Sequence, residues 1–164
     1  MKRKAFTLVE ILVSITLFSI IVLFLYQTLD ITKQSNDFYT KHLDEKQLQN
    51  HIKKILFMDI MHSKENSVKI SKDKDNNTIL TMETTNTYHN PFFNHITYLL
   101  IDGELIRMET KVKFDRKKLN DSFFSNSYID ILQTKVDKFK AVIQKDKKVS
   151  VYILKGDKKY LFGF

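Results

Sequence analysis

The 164-residue chain has no cysteine, no tryptophan, one proline and three glycines. Without cysteine, disulfide frameworks, thiolate metal sites and cysteine nucleophiles are all excluded. Gly103, Gly156 and Gly163 are too few and too scattered to build a glycine loop around a phosphate. No serine sits in a nucleophile elbow. His42, His51 and His62 lie 9 and 11 residues apart, so none forms the i, i+4 ligand pair of a helical zinc site, and each is expected to be a solvated helix residue.

Two other segments fail as chemistry. Asp73, Asp75 and Asn77 space their oxygens as a calcium loop does, but Thr78 and Thr84 stand where that loop needs glycine and glutamate. A solvated turn is expected there. His89 and His95 flank Asn90, Pro91, Phe92, Phe93 and Asn94, which read as a turn with buried aromatics. No catalytic constellation and no cofactor site emerge, so the chain is expected to be non-enzymatic.

What the chain does have is a long apolar run at its start. Lys2, Arg3 and Lys4 precede Ala5, and from Phe6 to Tyr26 every residue except Glu10 is apolar or a small hydroxyl type. The uncharged stretch from Ile11 to Leu29 would form a helix roughly 28 Å long, matching a hydrocarbon core of ~30 Å. Three cations before the span and Asp30 after it predict a cytoplasmic N-terminus, with the rest of the chain outside. A secretory signal peptide would have only ~7–15 apolar residues and a small-residue cleavage site at their far end. Here the small residue comes first. A plain membrane anchor leaves Glu10 unexplained, since a carboxylate inside an apolar span costs on the order of 2.5–3.5 kcal/mol on insertion scales.

The string Lys4, Ala5, Phe6, Thr7, Leu8, Val9, Glu10, followed by Ile11, Leu12 and Val13, resembles the N-terminal signal of type IV pilins and type II secretion pseudopilins. The resemblance implies cleavage by prepilin peptidase between Ala5 and Phe6, and N-methylation of Phe6. Ala5 stands where the family usually has glycine. It further implies that Glu10 guides filament assembly by pairing with the new terminal amine of a neighbouring subunit. A buried carboxylate is tolerable when a cation compensates it, and cleavage creates such a cation. The implied partners are prepilin peptidase, other pilin or pseudopilin subunits, the inner-membrane assembly platform and membrane lipid. The only proline is Pro91, so no proline kinks the first 60 residues, which points to a minor subunit. Glu10 argues against the K-type tip subunit, which typically lacks the acid, and leaves the H-, I- and J-types and the minor pilins open.

Four segments are expected: a leader at 1–5, a membrane and filament-core helix at 6–29, an amphipathic helical continuation at 30–62, and an extracytoplasmic antiparallel β domain at 63–164. Leu48, Ile52, Ile55, Leu56 and Ile60 make the apolar stripe of that continuation, with Gln49, Asn50, Lys53, Lys54 and Asp59 between them. Ser35, Asn36 and Asp37 are poor helix formers that could mark a break. Strands are read at Val68–Ile70 and Thr78–Glu83. A hairpin from Ile96 to Glu109 turns at Asp102-Gly103, with Leu100 opposite Leu105 and Leu99 opposite Ile106. Its Tyr98–Arg107 segment is similar to a hairpin of J-type subunits. A second hairpin sets Phe139, Ala141 and Ile143 against Ile153, Val151 and Val149, and Tyr160–Phe164 adds a last strand. The fold class is therefore α+β: a long N-terminal helix packed on a small antiparallel sheet, pilin-like.

The formal charge of +8 divides unevenly. Residues 6–110 carry 10 basic and 13 acidic side chains, whereas residues 111–164 carry 14 and 6. Lys138, Lys140, Lys145, Lys147 and Lys148 form a cluster that is a candidate contact for DNA, another polyanion such as an envelope surface, or an acidic neighbouring subunit, and secreted cargo is a further candidate partner of the chain. Lysine outnumbers arginine 24 to 3, which favours a solvated face over selected phosphate forks.

Overall fold

A computed structural model describes residues 7–115, 121–145 and 148–164. The first element, α1, runs from Leu8 to Met61 without interruption, so Ser35, Asn36 and Asp37 remain helical. The chain divides into two compact units, one up to Leu48 and one from Gln49 to Phe164.

In the first unit the apolar side chains of α1 from Leu8 to Leu29 are exposed, with Val22 half-buried. The hydroxyls of Ser14, Thr16, Ser19, Thr28 and Thr32 each donate to the carbonyl four residues earlier, at 2.7–2.9 Å. No hydroxyl in this row needs water, which suits a helix surrounded by hydrocarbon. By length and composition α1 is able to cross a membrane.

Among its described residues the second unit holds the last turns of α1 and eight strands. β1 (Lys69–Lys72), β2 (Thr78–Glu83), β3 (His95–Ile101), β4 (Glu104–Thr110) and β5 (Ser127–Gln133) form an antiparallel meander in chain order. A short helix, α2 (Asp121–Ser125), leads into β5. β6 (Lys138–Ile143), β7 (Val149–Lys155) and β8 (Lys158–Gly163) form a second, separate antiparallel sheet. The α+β layout expected from the sequence is thus present, with two sheets in place of one.

Both hairpin registers follow the sequence pattern. Leu100 pairs with Leu105 and Leu99 with Ile106, across a turn in which Asp102 (φ 49°) and Gly103 (φ 77°) both take the left-handed conformation that a two-residue type I′ turn demands. Phe139, Ala141 and Ile143 pair with Ile153, Val151 and Val149. Ile143, at the end of its strand, is exposed rather than core-facing.

The core lies where three layers meet. Ile52, Ile55 and Leu56 of α1 pack against Leu80, Ile96 and Tyr98 of the first sheet and against Phe139, Val151 and Ile153 of the second. The helix stripe is shifted from expectation: Leu48 is exposed, Ile60 is half-buried, and Asp59 is fully buried. The two sheets are also stitched by polar groups, because the amides of Phe139 and Ala141 donate to Asn77 Oδ1 (3.2 Å) and Thr78 Oγ1 (3.0 Å). These bonds satisfy part of the edge of β6 that would otherwise be open.

Candidate functional site

The first candidate is the start of α1. Thr7 is the N-cap and Glu10 the third helical residue, a threonine-x-x-glutamate pattern. The Thr7 amide and hydroxyl donate to Glu10 Oε2 at 2.9 and 3.0 Å, and the Glu10 amide donates to Thr7 Oγ1 at 3.4 Å. This reciprocal capping box satisfies helix-end donors that have no partner of their own. It also holds the carboxylate at the positive end of the helix dipole. Glu10 Oε1 accepts no hydrogen bond among the described residues, which leaves one oxygen for another cation. The threonine-x-x-glutamate spacing of this cap is readable in the sequence, beside the charge of Glu10. Ala5 and Phe6 lie outside the described residues.

The second candidate was not foreseen. Asp59, Tyr98, Arg107 and Glu109 are completely buried together. Arg107 Nε donates to Asp59 Oδ2 at 2.7 Å and Nη2 to Asp59 Oδ1 at 3.1 Å, a two-pronged pair. Arg107 Nη1 donates to Glu109 Oε1 at 2.6 Å, and Nη2 to the Asn86 carbonyl at 3.0 Å. Asp59 also accepts from the Tyr98 hydroxyl and from Asn86 Nδ2 (2.6 Å). Glu109 accepts the amides of Tyr88 (2.7 Å) and His89 (3.1 Å), and the Tyr88 ring lies 4.2 Å from the guanidinium carbon. Burial, reinforced by Asp59, pushes the Tyr98 phenol well above the usual tyrosine range. Burial works against the Arg107 charge, but the hydrogen bonds and charge of Asp59 outweigh it and raise its pKa.

Sheet geometry puts these groups together. Tyr98 and Arg107 are direct cross-strand partners, and Glu109 follows Arg107 on the same face of β4. The signal was present in the sequence: the hairpin register places Arg107 on the Leu105 side, and Asp59 lies three, four and seven residues beyond Leu56, Ile55 and Ile52. The network links helix and sheet and has the character of a structural lock. Every guanidinium nitrogen of Arg107 is occupied.

The remaining expectations divide. Asp73 Oδ1 accepts the amides of Asp75 (2.9 Å) and Asn77 (2.7 Å), so that loop closes on its own backbone. Phe92 is 78% exposed, which overturns the expected burial of that turn; Phe93 instead packs edge-on to Tyr128 at 5.3 Å. His89 stacks on Tyr128 and contacts Asp130 at 2.9 Å. Lys138 and Lys140 share one face of β6, with Leu154 and Tyr152 opposite them on β7. Lys145 and Lys148 are exposed on the β6–β7 loop, and Lys147 lies outside the described residues. These lysines stand apart from Glu10 in the chain and are not part of the Arg107 network.

Residues 1–26 match the prokaryotic N-terminal methylation motif. The chain therefore carries the type IV pilin-like prepilin signal, the signal that prepilin peptidase processes. Signal and apolar helix together make it an inner-membrane-anchored protein whose partners include other pilin subunits. No curated protein and no solved structure matches the chain.

Proposed function

We propose that this protein is a minor subunit of a type IV filament system, a pilus, a type II secretion pseudopilus or a competence pseudopilus, and that its role is structural, not catalytic. The observation that carries the reading is Glu10: a carboxylate at the head of an apolar helix, inside a prepilin signal, with one oxygen held by Thr7. Lys2, Arg3 and Lys4 keep the N-terminus in the cytoplasm until cleavage, and the second unit projects to the other side of the membrane. Cleavage before Phe6 removes these three cations, leaves a 159-residue mature chain and exposes an amine. Glu10 then pairs with that amine on a neighbouring subunit, and the apolar side chains of α1 exchange lipid for other helices. The absence of proline from α1 fits a low-copy subunit.

Quantitative mass spectrometry of sheared filaments tests this assignment. The chain is expected in filaments at far fewer copies than the most abundant subunit, and deleting it should abolish or shorten them. Finding it as the dominant filament protein, or only in membranes with filaments unaffected by its deletion, would contradict the minor-subunit role.

A further inference from the structure

The second sheet has one face in the core, where Phe139, Val151 and Ile153 are buried. The opposite face of such a sheet is ordinarily polar, because side chains alternate apolar-in and polar-out. Here the outward face departs from that pattern. Tyr152, on the central strand β7, lies directly between Lys140 of β6 and Leu161 of β8, and Leu154 lies between Lys138 and Lys159. Val142, diagonal to Tyr152 across the β6–β7 pair, is 59% exposed, and Leu161 is 74% exposed. The result is an apolar centre with lysines on both flanks, the layout of a protein interface with a desolvated middle and a polar rim.

The charge of this face is of one sign. β6, β7 and β8 contain no carboxylate side chain, and residues 138–164 carry eight lysines against two aspartates. Lys138, Lys140 and Lys159 form no ion pair among the described residues. Asp137, the acid next to Lys138 in the chain, accepts the Gly156 amide at 2.6 Å and is thereby held at the β7–β8 turn, where Asp157 also lies.

The rim therefore calls for carboxylates or phosphates, and the centre decides between them. A nucleic acid backbone would neutralise the lysines but would leave Leu161 and Val142 with nothing apolar to cover them. A polypeptide surface can answer both. The face is small: three strands are ~10 Å across and five residues ~14 Å long, far less than the ~800 Å² that each partner buries in a stable complex. A contact of that size holds only between partners already kept side by side, where the effective concentration is in the millimolar range. If the chain is a filament subunit, α1 supplies that tether.

We propose that the outward face of the second sheet docks the extracytoplasmic part of a neighbouring membrane-anchored subunit, through a surface whose apolar centre is rimmed by carboxylates. Tyr152, Leu154, Leu161 and Val142 cover that centre, and Lys138, Lys140 and Lys159 meet the carboxylates. The identification of the partner as a subunit rests on the filament role proposed above.

The test replaces Leu161 by a benzophenone-bearing amino acid in the full chain, in its own cells. Irradiation should join it to a second protein with a prepilin signal, through a peptide rich in aspartate and glutamate. Combining Lys140→Glu with Lys159→Glu should lower the yield about tenfold while the thermal melt stays unchanged. Exchanging the acids of the joined peptide for lysine should then restore it. The same photoreactive group at Phe92, in the β2–β3 loop, should not form this adduct. No adduct, an adduct indifferent to the lysine reversal, or one with lipid or nucleic acid would each overturn the proposal. Immunoblots of sheared filaments separate the two claims. A chain present in filaments without the adduct would overturn the docking face alone, whereas a lysine-dependent adduct with an acidic membrane-anchored protein, in a chain absent from filaments, would support the face and contradict the filament role.

Discussion

Replacing Arg107 by alanine is expected to destabilise the second unit by about 3–5 kcal/mol, because it leaves two buried carboxylates with no cation between them. A domain's whole stability is only ~5–15 kcal/mol, so the variant should melt on the order of 15 °C lower or fail to fold at growth temperature. Arg107→Lys should recover only part of this, since an ammonium cannot reproduce the two-pronged contact with Asp59 and the separate bond to Glu109. Asp59→Ala should also destabilise strongly. The Asp59→Ala/Arg107→Ala double variant should lose much less than the sum of the two, because the groups act as a unit. Urea unfolding of the detergent-solubilised chain, followed by near-ultraviolet circular dichroism, gives these values. Lys140→Ala serves as control and should stay within ~0.5 kcal/mol. An Arg107→Ala variant as stable as the parent would show that the network is dispensable.

Glu10→Leu should leave membrane insertion intact, because it removes a charge from an apolar span, yet reduce filament incorporation severely. Truncating one partner of a buried charge pair costs ~2–5 kcal/mol, or roughly 30-fold and upward in the association equilibrium. Glu10→Gln separates the two jobs of this side chain. Glutamine closes a capping box almost as glutamate does, so the helix start is preserved while the charge is lost. If pairing with the neighbour's amine is what matters, Glu10→Gln should fail to assemble like Glu10→Leu. Immunoblots of membrane and sheared-filament fractions read both quantities. Normal incorporation of Glu10→Gln would assign the carboxylate to capping alone.

The parts of the molecule legible in the sequence are those governed by local rules. The apolar run from Phe6 to Tyr26 marked the apolar first half of α1, and Asp102-Gly103 specified both a turn and its register. Residues 111–137 lacked such punctuation. β5 carries apolar side chains on both faces, at Tyr128, Ile129, Ile131 and Leu132, so alternation is blurred and a bulge breaks its count. The second sheet, too, is separated from the first only by tertiary packing.

The charged core was missed for a different reason. Asp59 and Arg107 are 48 residues apart, and each alone reads as a solvated position. Only their meeting across the helix–sheet interface makes their burial affordable, since an unpaired charge there would be expelled. The exposed Phe92 is the converse case, an aromatic that composition alone assigns to the interior.

The central claim is that the first five residues are a leader and that Phe6 begins the working protein. Mass spectrometry of the N-terminal peptide, from the protein made in its own cells, tests it most directly. The account predicts a chain of 159 residues beginning at Phe6 and heavier by one methyl group on its amine. A mature protein that still begins at Met1, or one cut beyond the apolar helix, would contradict it.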